Sequence, residues 1–448
     1  MLAAVIALLM AAIIAAGLAF LPRLFGLELP WPVSFAHTLV RGKSDGEPAA
    51  QAPVKKITQV PQTISLKWEP VPNAVTYEFL LLEGNKISPD KVILRQTLYT
   101  NGTFLNRRHH HYPNDAGILS KAHWVVRGLD YRGNPLQEFS SPRSITEEIF
   151  DSPTVLISGE LDKMSDAPLY PSYAWIPRDD TFRYEVEVWQ QGGADAKTGD
   201  VRKAVYQIEG AAILDPAPFR QPGSYFWRVR PFTKNSLPED GWSAPQFFTV
   251  NPSETVRVAA LGDSITHGGS LAAPPCYRMY TFMDYCPVPV KNLGRAGDTT
   301  EDLVNRFQED VLPFFPEILL IMGGINDLRL GSKADAVIEN LALLEKATWK
   351  KGIIPVFVTI LPINPLRMAS FPNIEPVANG WQQELTKVNE WIKTREYFVD
   401  VSSPDLIDEM GWLRESYSAD GLHPDANAKK HMGEAIGNYL KKRLSLHK

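Results

Sequence analysis

The sequence predicts a multidomain protein in which two all-β sandwiches precede an α/β domain with a parallel sheet. Three observations predict this architecture. A strand-like pattern of alternating apolar and polar residues occurs twice between residues 57 and 250. From about residue 254, short apolar runs alternate with amphipathic stretches. With 448 residues, of which 44% are hydrophobic and 22% charged, the chain can form several domains that each bury a core.

The N-terminal segment is an unbroken apolar run over residues 2–21. At about 1.5 Å per residue, a helix of this length crosses a bilayer. We therefore expect residues 1–22 to act as a cleavable signal peptide or a retained membrane anchor, and residues 23–56 to form a linker. Either alternative implies export to a periplasm, a cell surface or the medium.

Two copies of a tryptophan–tyrosine signature mark the β-rich region. Trp68 is followed nine positions later by Tyr77, and Trp175 is followed at the same interval by Tyr184. After each tyrosine, residues alternate with the period of two that is typical of half-buried strands. Two all-β copies of this size, with turn signals between short strands, predict two small sandwiches.

These copies resemble fibronectin type III modules in their Trp-x-Pro start and the following Tyr-x-hydrophobic strand. We name residues 57–150 module 1 and residues 151–252 module 2. The resemblance implies a fold and leaves the function open between a spacer and a glycan-binding module.

The C-terminal region, residues 253–448, shows the pattern of an α/β domain. Its apolar runs predict strands at 256–261, 290–293, 318–322, 354–360 and 397–401. The amphipathic stretches predict helices at 300–314, 334–351, 377–396 and 427–444. Unbroken apolar strands that alternate with helices are typical of a parallel sheet covered on both faces. The change of pattern near residue 251 also predicts that this domain folds without the modules.

Four polar blocks follow the predicted strands or precede the last helix. Ser264 lies in a Gly-Asp-Ser-Ile block directly after the first strand, Gly297 follows the second strand, and Asn326 follows the third. Asp420 and His423 lie just before the last helix. Since parallel sheets bind ligands outside the carboxyl ends of their strands, we expect these blocks to lie close together.

The residue types in these blocks suit nucleophilic catalysis. A serine hydroxyl is a weak nucleophile and needs a histidine base that a carboxylate orients. Asp420 can accept a hydrogen bond from Nδ1 of His423, which leaves Nε2 to face Ser264. The oxyanion that forms needs converging donors, which the backbone N–H groups of Ser264 and Gly297 and the side-chain amide of Asn326 can supply. We therefore expect Ser264, His423 and Asp420 to be catalytic and Ser264, Gly297 and Asn326 to form an oxyanion hole.

In these four blocks the chain from about 253 to 448 resembles the SGNH hydrolases of the GDSL type. The resemblance maps the four residues that name this family onto Ser264, Gly297, Asn326 and His423, with Asp420 as the third member of the triad. It implies a three-layer α/β/α domain of the flavodoxin-like type. It also implies ester hydrolysis through an acyl-enzyme, with no metal and no organic cofactor.

The expected substrate is an acylated polysaccharide or a small ester, with acetyl as the expected acyl group. The GDSIT form of the serine block is similar to that of many carbohydrate esterases. Tyr277 and Tyr280 follow this block and supply rings that can stack on a sugar, although core packing explains them equally well. Export and two β-modules also suit a polymer outside the cell.

Two other activities of the same family stay open. A lipase, lysophospholipase or thioesterase needs an apolar acyl groove, which Leu361, Ile363, Leu366 and Met368 can line. A glycan O-acetyltransferase would use a sugar hydroxyl in place of water.

Cysteine content and charge bear on whether the protein has a disulfide, a zinc site or a nucleic-acid partner. The two cysteines, Cys276 and Cys286, predict a disulfide in an exported protein and two free thiols in a cytosolic one. No CxxC motif accompanies them, which argues against zinc. The formal net charge of −5 excludes a strongly basic surface, so we expect no nucleic-acid partner.

Overall fold

The protein is described by a computed structural model. It describes residues 57, 59–108, 110, 112–151, 154–179, 181–192, 199–232, 241–250, 256–269, 277–371 and 375–445. All of these residues belong to one compact unit. The predicted signal or anchor and the linker lie outside them. Within the described ranges, no helix combines the length and apolar character needed to cross a membrane.

Module 1 is all-β apart from one short helix and pairs its strands in antiparallel fashion. Its elements are β1 (Thr63–Lys67), β2 (Thr76–Glu83), β3 (Val92–Leu98), β4 (Gly102–Asn106), α1 (Ala116–Leu119), β5 (Ala122–Leu129), β6 (Arg143–Ser144) and β7 (Ile149–Phe150). They form two sheets with the orders β4-β1-β7 and β3-β2-β5-β6. Trp68, Phe79 and Trp124 pack between the sheets, with ring centroids 5.9–6.3 Å apart.

Module 2 is also antiparallel. Its strands are β8 (Ser172–Ala174), β9 (Arg183–Gln190), β10 (Val201–Ile208), β11 (Ala212–Leu214), β12 (Gly223–Phe232) and β13 (Gln246–Val250). The sheet orders are β11-β8 and β10-β9-β12-β13. Trp175, Tyr184 and Trp227 are buried in its core, so the residues of the repeated signature pack inside both modules.

The α/β domain contains the predicted parallel sheet. Its strands are β14 (Val258–Gly262), β15 (Lys291–Gly294), β16 (Ile318–Met322), β17 (Ile354–Val358) and β18 (Phe398–Val399). Its helices are α2 (Ser264–His267), α3 (Thr300–Asp310), α4 (Ile325–Arg329), α5 (Ala334–Lys350), α6 (Pro365–Ala369), α7 (Trp381–Lys393) and α8 (Ala426–Ser445). All strand pairs are parallel, in the order β15-β14-β16-β17-β18.

This strand order determines where a site can form. The chain adds β15 on one side of β14 and then β16 on the other, so a crevice opens beyond the carboxyl end of β14. The short helices α2 and α4, which the sequence did not predict, begin right after β14 and β16. The residues that follow these two strands therefore face one another across the crevice.

The modules pack closely against the α/β domain. Leu169 and Tyr170 of module 2 belong to the same buried cluster as the strands of the parallel sheet. The backbone N–H of Leu169 donates to the carbonyl of Asn292 on the edge strand β15, at 2.8 Å. Because Leu169 and Tyr170 belong to this core, we expect module 2 to stabilise residues 253–448. Folding of residues 253–448 without the modules stays a prediction.

We therefore predict that a fragment of residues 253–448 is less stable than a fragment of residues 57–448. The shorter fragment lacks Leu169 and Tyr170, whose burial against the core of the α/β domain is worth about 2 kcal/mol each. It also exposes the edge strand β15. Thermal unfolding of both fragments at equal concentration, followed by circular dichroism, measures the difference. Equal melting temperatures would contradict this account of the packing.

Candidate active site

Ser264 lies at a sharp turn between β14 and α2. Gly262 ends the strand where its neighbours come very close: a Cβ on it would lie 2.3 Å from the carbonyl oxygen of Met322. The buried Asp263 caps the helix by accepting a hydrogen bond from the backbone N–H of Ile265, at 2.8 Å. This turn places the Ser264 hydroxyl at the carboxyl edge of the sheet.

Asp420 is fully buried and occupies the centre of a tight loop. Its carboxylate accepts hydrogen bonds from the backbone N–H groups of Leu422 and His423, at 2.9 and 2.8 Å. The loop needs glycine at position 421, where φ is +82° and a Cβ would lie 2.5 Å from the carbonyl oxygen of Asn364. The chain thereby folds His423 back over the carboxylate of Asp420.

The three predicted catalytic side chains form one line of hydrogen bonds. Nδ1 of His423 lies 2.9 Å from Oδ2 of Asp420, and Nε2 of His423 lies 2.9 Å from Oγ of Ser264. Burial raises the pKa of Asp420, but the adjacent His423 and the hydrogen bonds to the carboxylate outweigh burial and lower this pKa to about 2. An ionised Asp420 can accept a hydrogen bond from Nδ1 of His423, which leaves Nε2 to face the hydroxyl of Ser264.

The predicted oxyanion donors lie on neighbouring turns. Gly297, with φ of +86°, lies between β15 and α3, and Asn326 lies in α4 after β16. Nδ2 of Asn326 donates to the carbonyl of Asp298 at 2.9 Å, and its Oδ1 accepts from Nε of Arg329 at 3.0 Å. These two bonds fix the orientation of the amide. An amide nitrogen carries two N–H groups, so the second can be presented to a ligand.

Sequence reasoning missed Arg306, which joins the turns around the site. Its guanidinium donates to Oδ2 of Asp298 at 2.5 Å and to the carbonyls of Leu293 at 2.7 Å and Gly262 at 2.9 Å. Burial raises the pKa of Asp298 to about 6, although Arg306 acts in the opposite direction. One planar cation therefore contacts the ends of both β14 and β15.

Sequence reasoning also missed Lys429, whose side chain is fully buried beneath the turn that carries Ser264. Its Nζ donates to the carbonyl of Ile265, the residue after Ser264. Burial lowers the pKa of Lys429 to about 7, against the opposing charges of Asp263 and Asp420. The sequence contained an indication of this burial, because the charged Lys429 lies three positions before Met432 on the apolar face of α8.

Tyr277 and Tyr280 do not form the predicted substrate wall. Tyr277 is 6% exposed, and its hydroxyl lies 3.0 Å from Oγ of Ser158 and 3.1 Å from Oδ1 of Asn101, both in the modules. Tyr280 is 5% exposed and packs in the same interdomain cluster. Both rings are buried between the modules and the α/β domain, so their faces are not available to stack on a sugar.

The predicted Cys276–Cys286 disulfide is not supported. Cys286 is a free, half-buried thiol in the structure, with a pKa raised by burial. Its Sγ is directed at α8, 3.4 Å from where a Cβ on Gly437 would lie. Cys276 lies outside the described residues. Across the described part of the chain, no cluster of three or more His, Cys, Asp or Glu side chains could hold a metal ion.

Comparison with known proteins gives matches to part of the chain. Residues 260–430 match the model of the GDSL-like lipase/acylhydrolase family. An uncharacterized lipoprotein of Bacillus subtilis is 32% identical over 118 residues, which are 24% of this chain and 49% of that protein. The chain therefore spans about half the length of this curated relative.

Solved structures with similarity to the chain include a GDSL-like lipase from Bacteroides thetaiotaomicron, with 23% identity and a TM-score of 0.36 over 43% of this chain and 91% of that one. A lipase/acylhydrolase from Enterococcus faecalis has 23% identity and a TM-score of 0.35 over 42% and 96% of the two chains. The β-rich region is not identified as fibronectin type III. The family match alone indicates that residues 260–430 form a GDSL-type acylhydrolase domain.

The buried Lys429 generates a prediction about stability and pH. Its pKa is lowered from 10.5 to about 7 in the folded protein, so the unfolded chain binds more protons between these values. Stability therefore rises with pH over this window. Relative to Lys429→Met, the wild type should gain up to about 3 kcal/mol between pH 6.5 and 9.5.

Urea unfolding at each pH measures this gain, and Lys430→Met, which changes an exposed neighbour, is the matched control. We expect the Lys430 variant to follow the wild type. Parallel pH profiles for the wild type and the Lys429 variant would contradict the assignment of a buried, readily deprotonated lysine.

Proposed function

We propose that this chain is an exported serine esterase that hydrolyses short acyl esters, acetyl esters in particular, on carbohydrate. The observation that carries the proposal is the line of hydrogen bonds from Ser264 through His423 to Asp420. A serine, an imidazole and a buried carboxylate in this order are the parts that acyl transfer requires.

In the proposed mechanism, Nε2 of His423 takes the proton of the Ser264 hydroxyl while Oγ attacks the ester carbonyl. The oxyanion accepts hydrogen bonds from the backbone N–H groups of Ser264 and Gly297 and from the amide of Asn326, each worth about 3–4 kcal/mol. His423 then protonates the departing alcohol. A water molecule, deprotonated by His423, releases the acyl group from Ser264.

The burial of three apolar residues supports a short acyl group. Leu361, Ile363 and Met368, which could have lined an acyl groove, are buried in the core of the α/β domain. Leu366 is 71% exposed. Three of the four predicted groove residues are therefore unavailable to a long acyl chain, which disfavours the lipase and thioesterase alternatives.

Charged side chains near the oxyanion donors support a polar alcohol. Arg295 lies two residues before Gly297 and is half-exposed, and Arg329 donates to the amide of Asn326. Guanidinium groups form hydrogen bonds with hydroxyl and carboxylate oxygens and are poor partners for lipid tails. A sugar presents many hydroxyls and can therefore form hydrogen bonds with such guanidinium groups.

Separate observations support export and a fibronectin type III-like fold of the modules. The curated relative is itself described as a lipoprotein, and residues 2–21 of this chain are apolar. Three- and four-stranded antiparallel sheets in module 1 are compatible with a fibronectin type III-like sandwich. We propose an acylated polysaccharide outside the cytoplasm as the substrate.

We predict that Ser264→Ala and His423→Ala each lower kcat for p-nitrophenyl acetate by about 10⁴-fold or more, because each removes a group that the acylation step requires. Asp420→Asn should be less severe, because Ser264 and His423 both stay in place. Initial rates, with melting temperatures as a check of folding, measure these effects. Ser224→Ala, at an exposed serine of module 2, is the matched control. A folded and fully active Ser264→Ala variant would refute the proposed function.

We also predict that kcat/KM falls by about tenfold or more from p-nitrophenyl acetate to p-nitrophenyl octanoate, since a short acyl site lacks room for the six added methylenes. Steady-state rates over the C2, C4 and C8 esters give the profile. A rise towards C8 would instead favour a lipase or thioesterase. Transfer of acetyl to an added sugar, faster than hydrolysis, would favour an O-acetyltransferase.

A further inference from the structure

A segment of module 2, residues 166–171, lies between that module and the edge strand β15. On the α/β side, Leu169 donates to the carbonyl of Asn292 at 2.8 Å, and Nζ of Lys291 donates to Oδ1 of Asp166 at 2.8 Å. On the module side, the backbone N–H of Phe219 donates to the carbonyl of Leu169 at 2.9 Å. The segment is therefore held from both sides.

Tyr170, within this segment, contacts the helix that begins with the nucleophile. Its backbone carbonyl accepts a hydrogen bond from Nε2 of His267, the last residue of α2. Since a carbonyl can only accept, this nitrogen carries the proton. Burial lowers the pKa of His267, which keeps the ring neutral. The carbonyl of His267 in turn accepts from Nδ2 of Asn292 at 2.9 Å. The position of α2 is thus defined partly by module 2.

The side chain of Tyr170 reaches a second buried group. Its hydroxyl donates to Oδ2 of Asp310, at 2.7 Å, and Asp310 is fully buried. Arg220 of module 2 donates to Oδ1 of Asp310 through two nitrogens, at 3.0 and 2.7 Å. Arg306 supplies a further donor to Oδ2, at 3.2 Å. Two of the three residues that satisfy this carboxylate therefore belong to module 2.

From Asp310 the contacts continue into the candidate site. Nη1 of Arg306 donates both to Asp310 and to the carbonyl of Leu293 near the end of β15. Its Nε donates to Oδ2 of Asp298, and its Nη2 donates to the carbonyl of Gly262 at the end of β14. The carbonyl of Asp298 accepts from the amide of Asn326. The donors of a guanidinium lie in one plane at fixed angles, so a tilt of Arg306 moves several of these partners together. A displacement of about 1 Å is sufficient to lower a catalytic rate by about 100-fold.

We propose that Tyr170 is a positioning residue for the reaction, acting through Asp310 and Arg306 on the turns that carry Gly297 and Asn326. Module 2 is then part of the working structure of the active site and not a spacer. This inference rests on the proposed esterase function, because the turns that it positions are those of the oxyanion hole.

The test compares Tyr170→Phe with Tyr225→Phe in the full chain. Both residues are buried tyrosines of module 2, but the hydroxyl of Tyr225 donates to the carbonyl of Gln221 within the module, at 2.7 Å. For p-nitrophenyl acetate, Tyr170→Phe should lower kcat about tenfold with little change in KM, since misplacing the oxyanion donors weakens transition-state binding. Tyr225→Phe should stay within about twofold of the wild type. Equal kcat values for the two variants would overturn the proposal.

A double variant tests whether the effect of Tyr170 on kcat passes through Asp298 and Asn326. In an Asn326→Ala background one of the positioned donors is already missing, so Tyr170→Phe should cost clearly less than its full tenfold effect. Tyr225→Phe should have the same small effect in both backgrounds. An undiminished tenfold loss in the double variant would overturn the route through Asp298 and Asn326.

Hydrogen–deuterium exchange separates this inference from the proposed function. Tyr170→Phe should speed amide exchange in residues 294–299, and Tyr225→Phe should not. If the two variants show this difference but the wild type hydrolyses no ester, the proposed function fails while the positioning role of Tyr170 stands. If the wild type hydrolyses esters and exchange at 294–299 is the same in both variants, the coupling fails while the proposed function stands.

Discussion

The carboxylate of Asp420 is buried, charged and bonded to His423, and the geometry of the candidate site depends on this interaction. A buried charge is costly unless donors surround it, and here two backbone N–H groups, the Ser418 hydroxyl and the imidazole fill that need. Module 1 contacts the flanks of the same loop: Asn73 accepts from the backbone N–H of Ala426 at 2.9 Å, and Tyr131 donates to Glu415 at 2.7 Å. The position of His423 is thereby held from within and from outside its domain.

The two modules support opposite parts of the crevice. Module 1 contacts the loop that carries Asp420 and His423, while module 2 contacts β15, α2 and Asp310. Tyr277 fits the same pattern, because its hydroxyl bonds to one residue of each module. The modules therefore cover surface that a free-standing α/β domain would expose to water. This arrangement favours a structural contribution to the site over the spacer interpretation of the modules.

Much of the fold and the central chemistry could be predicted from the sequence, for a local reason. Ser264, Gly297 and Asn326 each follow a strand of the parallel sheet within a few residues, so sheet geometry brings them together. The environment of Tyr277 depends on module residues more than a hundred positions away in the sequence. No periodic pattern around Tyr277 indicates that the modules bury it. The same holds for Arg306, whose helical position gives no sign of the carbonyls that it contacts. The disulfide prediction rested on spacing and compartment, which do not determine where Cys286 points.

The central claim is that His423 activates Ser264 as a nucleophile, and covalent labelling tests it most directly. A fluorophosphonate reacts with a serine whose proton a neighbouring base removes, and it leaves a mass increment on that residue. The account predicts that the peptide containing Ser264 acquires the increment in the wild type, and that His423→Ala slows this labelling by about 10²-fold or more. Labelling of a different residue, or an equal rate in the His423 variant, would contradict the account.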